Sequence, residues 1–241
     1  MPDSRLIVPL DVQTRGDAEA LVERLGDAVG FYKIGLQLLA TDGMAMARDL
    51  RQRGRRVFLD WKLHDIGTTV EKAAAAIAAS GAAEMLTVHA EPQVMRAALR
   101  GRAGSGYMKI LGVTVLTSLT EEDLADLGYG LGVRALVERR IRQAVDAGLD
   151  GVVASPQEAE MARRIGGKDF LVVTPGVRPA WAKADDQARA ATPAEALAAG
   201  ASHLVCGRPI TTANNPRDAA LRIAAEMDGA DAIAGGTLAV Q

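Results

Sequence analysis

The sequence predicts an α/β protein folded as a single (β/α)8 barrel, and three observations carry that prediction. Eight short segments rich in Val, Ile and Leu recur along the chain, with helical stretches between them. These segments do not alternate cleanly between apolar and polar residues, which is the pattern of parallel strands covered on their outer face. No linker or shift of composition divides the 241 residues, a length that one closed barrel uses as a single unit.

The first segment is "RLIVPLDV" (5–12). It bears on the competing architecture, an open doubly wound sheet, which often carries a Gly-rich turn after its first strand. Here the strand runs into "LDVQTRGD", which has no such turn. The second and third segments are "GFYKIGLQL" (30–38) and "RVFLDWKL" (56–63). Between them "RQRGRR" (51–56) reads as a helix end and turn, its cations suited to the negative end of the helix dipole. "EMLTVHA" (84–90), "MKILGVTVLT" (108–117), "GVVAS" (151–155), "FLVVTPGV" (170–177) and "HLVCGRP" (203–209) complete the set.

Helix starts are marked by capping residues. Thr68 with Glu71, and Ser118 with Glu121, have capping-box spacing. "SPQE" (155–158) and "TPAE" (192–195) add Pro at the first helical position, and Asn215-Pro216 opens the last clear helix. The barrel is assigned to residues 1–228. The tail "GADAIAGGTLAVQ" (229–241) is rich in small residues and is expected to be partly unpacked.

Composition excludes several classes of function. Hydrophobic residues make up 49% and charged residues 24%, enough for a large core. A net charge of -2 argues against a nucleic-acid binder, whose domains are usually basic. The single cysteine, Cys206, rules out an internal disulfide and fits a reducing cytoplasm; its simplest reading is a buried small hydrophobe. The chain runs from "MPDSRLIVPLD" straight into a strand, without the pattern of a signal peptide. Its longest apolar stretch, "AAAAIAASGAA", is too short and too weakly hydrophobic to span a bilayer.

In a barrel of this class the loops after the strand C-termini build the active site. The polar residues at those ends are Asp11, Lys33, Asp60, Lys62, Asp65, His89, Thr117, Ser155, Arg178 and Arg208. A single one of them would be an ordinary solvated loop residue, but charges embedded in three separate strand patterns call for another reason. The period of two puts Asp60 and Lys62 on one face, toward the mouth, and Trp61 on the other. Asp65 has opposite parity and lies past the strand, free to reach elsewhere, for instance a partner subunit. A lysine beside carboxylates is expected to be a cation and proton donor, which argues against a Schiff-base role.

Two clusters suggest a phosphate site. "TPGVRP" (174–179) and "CGRP" (206–209) follow strands seven and eight, where this architecture usually binds phosphate. Glycines admit backbone N–H groups to an anion, and arginine forks match its oxygens. Gln187, in "DDQAR" (185–189), is placed to close the loop after strand seven over a ligand. The histidines get modest roles. His64 is read as structural, His89 as a satisfied polar group near the mouth, and His203 as lying away from it. The three have no compact metal-ligand spacing.

Taken together, "LDWKLHDIGTTV" resembles the D-x-K-x-x-D-I-x-x-T signature of the orotidine 5'-phosphate decarboxylase family. The resemblance extends over essentially the whole chain, through "PLDV", "YKIGLQL", "VTVLTS", "PGVRP", "DDQAR" and "GRPI". It implies that Asp11 and Lys33 hold ribose hydroxyls and that Asp60, Lys62 and Asp65 form the catalytic array. It also implies that Asp65 and Thr69 serve the neighbouring subunit of a homodimer and that Thr117 and Ser118 contact the pyrimidine. Arg178, Gln187, Gly207 and Arg208 would then hold the 5'-phosphate, with no metal and no organic cofactor. Two departures stand out: Gly67 and Thr68 occupy positions where the family commonly has Pro and Asn, and Trp61 replaces a smaller apolar residue. Gly67 leans slightly toward a metal-dependent sugar-acid phosphate decarboxylase of the same barrel group. A second alternative is a non-catalytic phosphate-binding barrel.

Overall fold

A computed structural model of the chain describes residues 1–182 and 191–236, the side chains of 230–236 excepted. Eight parallel strands close into a barrel in sequence order: β1 Leu6–Pro9, β2 Phe31–Ile34, β3 Arg56–Leu63, β4 Met85–His89, β5 Lys109–Val113, β6 Gly151–Val153, β7 Leu171–Pro175 and β8 His203–Val205. Closure is made where β1 pairs with β8, Leu6 opposite Leu204 and Ile7 opposite Val205. The predicted fold class is the one observed.

Alternation along the strands sorts the core into two clusters. Ile7, Phe31, Phe58, Met85, Leu111, Val173 and Val205 point inward and fill the barrel, Phe31 and Phe58 being its largest side chains. The intervening residues, such as Leu6, Val8, Tyr32, Leu59, Leu86 and Val172, point outward beneath the helices. Apolar residues at both parities are therefore buried, which is why the strands read as continuous apolar runs.

Most strands are shorter than the sequence suggests, and two of them give way to a helical turn at a glycine. The chain leaves β2 at Gly35 and enters a short helix, Leu36–Leu39; it leaves β8 and re-enters a helical turn, Arg208–Thr211, after Gly207. The apolar residues of "GLQL" and the "GRP" segment thus belong to loops at the mouth.

The capping box of Ser155 and Glu158 opens the 3-10 turn Pro156–Glu158, and that of Thr192 and Glu195 opens the helix Pro193–Ala198. Asn215 accepts from the Asp218 N–H at 3.3 Å ahead of the helix Pro216–Gly236, which carries the backbone of residues 229–236 along with it. Two capping assignments are corrected. The helix Gly67–Ser80 starts from Ile66, so Thr68 sits inside its first turn rather than capping it. Thr120 and Asp123, not Ser118 and Glu121, form the box of helix Glu121–Asp126, because the extended backbone at Thr120 lets its hydroxyl accept from the Asp123 N–H at 3.2 Å.

Two lone residues of the sequence also find their places. Cys206 is fully buried, and burial pushes its thiol up to about 12. His203 lies at the end of the barrel opposite the mouth, edge-on to the Phe31 ring at 6.0 Å. No helix among the described residues is long and apolar enough to cross a membrane.

Candidate active site

The mouth is organised around the last part of β3. Leu59 lies opposite Leu86 of β4, yet Leu63 lies opposite Val88, so Asp60, Trp61 and Lys62 together face the single residue Thr87. This irregularity turns the backbone: Lys62 has φ +48°, the one non-glycine residue with positive φ among the described residues. Such a conformation costs on the order of 1 kcal/mol. Asp60 and Lys62 do both reach the mouth, and Trp61 does pack outward at 8% exposure. They do so through a bulge, not through plain alternation.

Four charges of alternating sign run across the mouth. Lys33 Nζ lies 3.0 Å from Asp11 Oδ1 and 3.5 Å from Asp60 Oδ2; Lys62 Nζ donates to Asp60 Oδ1 at 2.9 Å. Asp60 is the most enclosed carboxylate of this row, and burial alone would push its carboxyl up. The Lys33 and Lys62 ammonium groups, with hydrogen bonds from Lys62 and Thr87, outweigh burial and hold it below the usual carboxylate range. Gly35 leaves room for the charged ends of this pair. A Cβ there would lie 2.9 Å from Asp11 Oδ1 and 3.1 Å from Lys33 Nζ.

Behind this row, His64 Nε2 lies 3.1 Å from the Glu91 carboxylate, and the His64 and His89 rings sit 4.8 Å apart. Burial, and then the neighbouring His64, lower the titration of His89.

The row forms one wall of a cavity of about 350 Å³. Phe58, Val113, Val153 and Val205 make its apolar floor, and Thr117 lies on its rim. The facing wall is Gly176, Arg178, Gly207 and Arg208, from the ends of β7 and β8. Gly176 has φ +78°, a left-handed turn that aims the chain back over the cavity. Val177 and Ala191 then form a bridge, and the Arg178 N–H donates to the Ala191 carbonyl at 2.9 Å. Gly207 precedes the helical turn that carries Arg208.

Eight of the twelve residues singled out as site residues line this cavity: Asp11, Lys33, Asp60, Lys62, Thr117, Arg178, Gly207 and Arg208. Asp65, Thr69 and Ser118 are exposed and do not line it. The Asp65 carboxylate accepts from the Ile66 N–H at 2.6 Å and forms no ion pair among the described residues. Gln187 lies outside the described residues. The residue that no motif marks is Thr87, whose side chain touches both Asp60 and Lys62. Its sequence signal is slight: a polar residue with the inward parity of Met85, on the strand next to β3.

Residues 4–223 match the family model described as "Orotidine 5'-phosphate decarboxylase / HUMPS family". The chain belongs to that family. Orotidine 5'-phosphate decarboxylase from Caulobacter sp. (strain K31) is 66% identical over 94% of this chain and 98% of its own length. The enzyme of that name from Rhodopseudomonas palustris (strain BisB5) is 55% identical over 92% and 94%. The crystal structure of orotidine 5'-phosphate decarboxylase from Lactobacillus acidophilus superimposes with a TM-score of 0.83 at 36% identity, covering 94% of this chain and all of that one. Membership in the decarboxylase family accords with a barrel that gathers a charged row and an arginine pair around one cavity.

Proposed function

We propose that the protein is a carboxy-lyase of de novo pyrimidine biosynthesis, converting orotidine 5'-monophosphate to uridine 5'-monophosphate and CO2. The observation that carries this reading is the row Asp11–Lys33–Asp60–Lys62 facing Arg178 and Arg208 across one cavity. A nucleoside monophosphate has the matching layout: anionic phosphate at one end, ribose hydroxyls between, and the reacting base at the other.

Loss of CO2 from C6 leaves an electron pair in the plane of the ring, where π-delocalisation helps little. Stabilisation must come from fixed charge, and the Lys62 ammonium supplies it and then protonates the carbon. Asp60 holds that ammonium in place and lies near the departing carboxylate. Asp11 and Lys33 take the ribose hydroxyls, Thr117 and Ser118 the pyrimidine, and Arg178, Gly207, Arg208 and Gln187 the phosphate. Binding energy gained at the remote phosphate is available to lower the barrier.

Asp65 and Thr69 act across a homodimer interface. In support, Asp65 forms no ion pair among the described residues, its carboxylate accepting instead from the Ile66 N–H, and large apolar side chains are exposed after β2 and β3: Leu36 at 55%, Leu39 at 38% and Ile66 at 72%. Neither metal nor organic cofactor has a part in this chemistry, and the reducing cytoplasm is its setting.

The test is a spectrophotometric assay with orotidine 5'-monophosphate, with and without EDTA, on the wild type and Lys62→Ala. Turnover insensitive to EDTA, abolished in the variant while nucleotide binding largely survives, is expected. Wild-type turnover by Lys62→Ala removes Lys62 from the chemistry; no turnover of orotidine 5'-monophosphate beside EDTA-sensitive turnover of 3-keto-L-gulonate 6-phosphate moves the assignment to the metal-dependent sugar-acid phosphate decarboxylases. Tight nucleotide binding without turnover in the wild type would mark a non-catalytic barrel.

A further inference from the structure

We propose that Thr87 is a positioning residue for this reaction: its hydroxyl locks the Asp60 carboxylate and the backbone of Lys62 into one unit. The hydroxyl donates to Asp60 Oδ1 at 3.1 Å and accepts from the Lys62 backbone N–H at 2.9 Å. The Lys62 ammonium in turn donates to that same Asp60 oxygen at 2.9 Å. Three groups of the site thus close a loop of hydrogen bonds on one side chain, which is fully buried.

The bulge gives this arrangement its purpose. Where three residues of β3 face one of β4, the regular ladder is interrupted and a backbone N–H loses its ordinary partner. Lys62 also adopts a left-handed conformation that disfavours any non-glycine residue, so its surroundings must hold it there. A hydroxyl at position 87 does both, because it is one donor and one acceptor at once. Met85 and His89 share its parity but lie a full strand repeat away on either side, so Thr87 is the residue of β4 that faces the bulge. The side chain has no place in the cavity lining, so its effect reaches the reaction only through Asp60 and Lys62.

The proposal rests on the assignment of Lys62 as proton donor, and its test separates the two. Thr87→Val, Thr87→Ser and Thr87→Ala are assayed beside Lys62→Ala. Thr87→Val should lower kcat by about 10- to 100-fold, the cost of an ångström-scale misplacement, with KM within about 3-fold of wild type. Thr87→Ser and Thr87→Ala lose the same methyl group and differ in the hydroxyl alone. The serine variant should recover most of kcat and the alanine variant should not, a difference that survives even if the valine variant folds poorly. Equal kcat in the serine and alanine variants, or wild-type kcat in Thr87→Val beside an inactive Lys62→Ala, overturns the positioning role alone. Wild-type turnover in Lys62→Ala overturns the assignment beneath it, and the positioning role with it.

Discussion

Lowering the pH should destabilise this fold through one histidine far from the active site. Burial, and next the Arg56 guanidinium, push His203 down from its ordinary 6.5 to about 4. In the folded state it stays neutral; in the unfolded chain it takes up a proton below about pH 6.5. Its contribution is therefore intact above the unfolded value, shrinks as pH falls toward 4, and then levels off. Between about pH 7.5 and about pH 5 the unfolded chain gains nearly a full proton there and the folded one very little, a loss of about 2 kcal/mol. For a domain of this size that corresponds to a fall in Tm of roughly 4–8 °C. His89 shifts in the same direction, so the measurement needs a control. Thermal unfolding of wild type and His203→Gln, followed by circular dichroism across this range, isolates the term. The variant should have a slope shallower by about 2 kcal/mol over the interval. Parallel curves for the two proteins would refute the reasoning.

Arg208→Ala should lower kcat/KM through both a raised KM and a lowered kcat, because phosphate binding energy also lowers the barrier. Losing a charged contact to phosphate costs about 1.5–3 kcal/mol, or about 10- to 100-fold in kcat/KM, and unchanged kinetics would take Arg208 out of the phosphate site. Lys62→Ala and Asp65→Ala should each be inactive alone, yet co-expression should restore activity to about one quarter of the sites, since half the dimers are mixed and each holds one complete site. No recovery on mixing would place Asp65 in its own subunit's chemistry, and an active Asp65→Ala alone would place it outside the chemistry.

Much of this molecule was legible because the barrel imposes repetitive constraints. Val, Ile and Leu runs marked all eight strands, and charges at their C-terminal ends marked the cavity. The errors have a common physical origin, at the points where the chain leaves a regular element. "GLQL" looks like strand because its leucines are apolar, but the chain enters a short helix, Leu36–Leu39, directly after Gly35. Ser118 and Glu121 have capping spacing, as do Thr120 and Asp123 nearby; only backbone geometry selects between them. Period-two reasoning brought Asp60 and Lys62 together, but it could not foresee the two extra residues that β3 inserts opposite β4. Thr87 stayed hidden for the same reason: a threonine in a β-strand looks like packing until the bulge gives its hydroxyl two partners.

That insertion also divides β3 into two lengths with separate obligations. From Arg56 to Leu59 the strand follows its neighbours step for step and answers to the barrel interior through Phe58. From Asp60 to Lys62 it answers to Thr87 and the ion pairs instead. A repacked interior below Phe58 has no rigid ladder by which to tug on the lysine. Mutational tolerance along this strand should therefore change abruptly between Leu59 and Asp60: permissive of apolar exchange on one side, intolerant of nearly any change in charge or hydrogen bonding on the other.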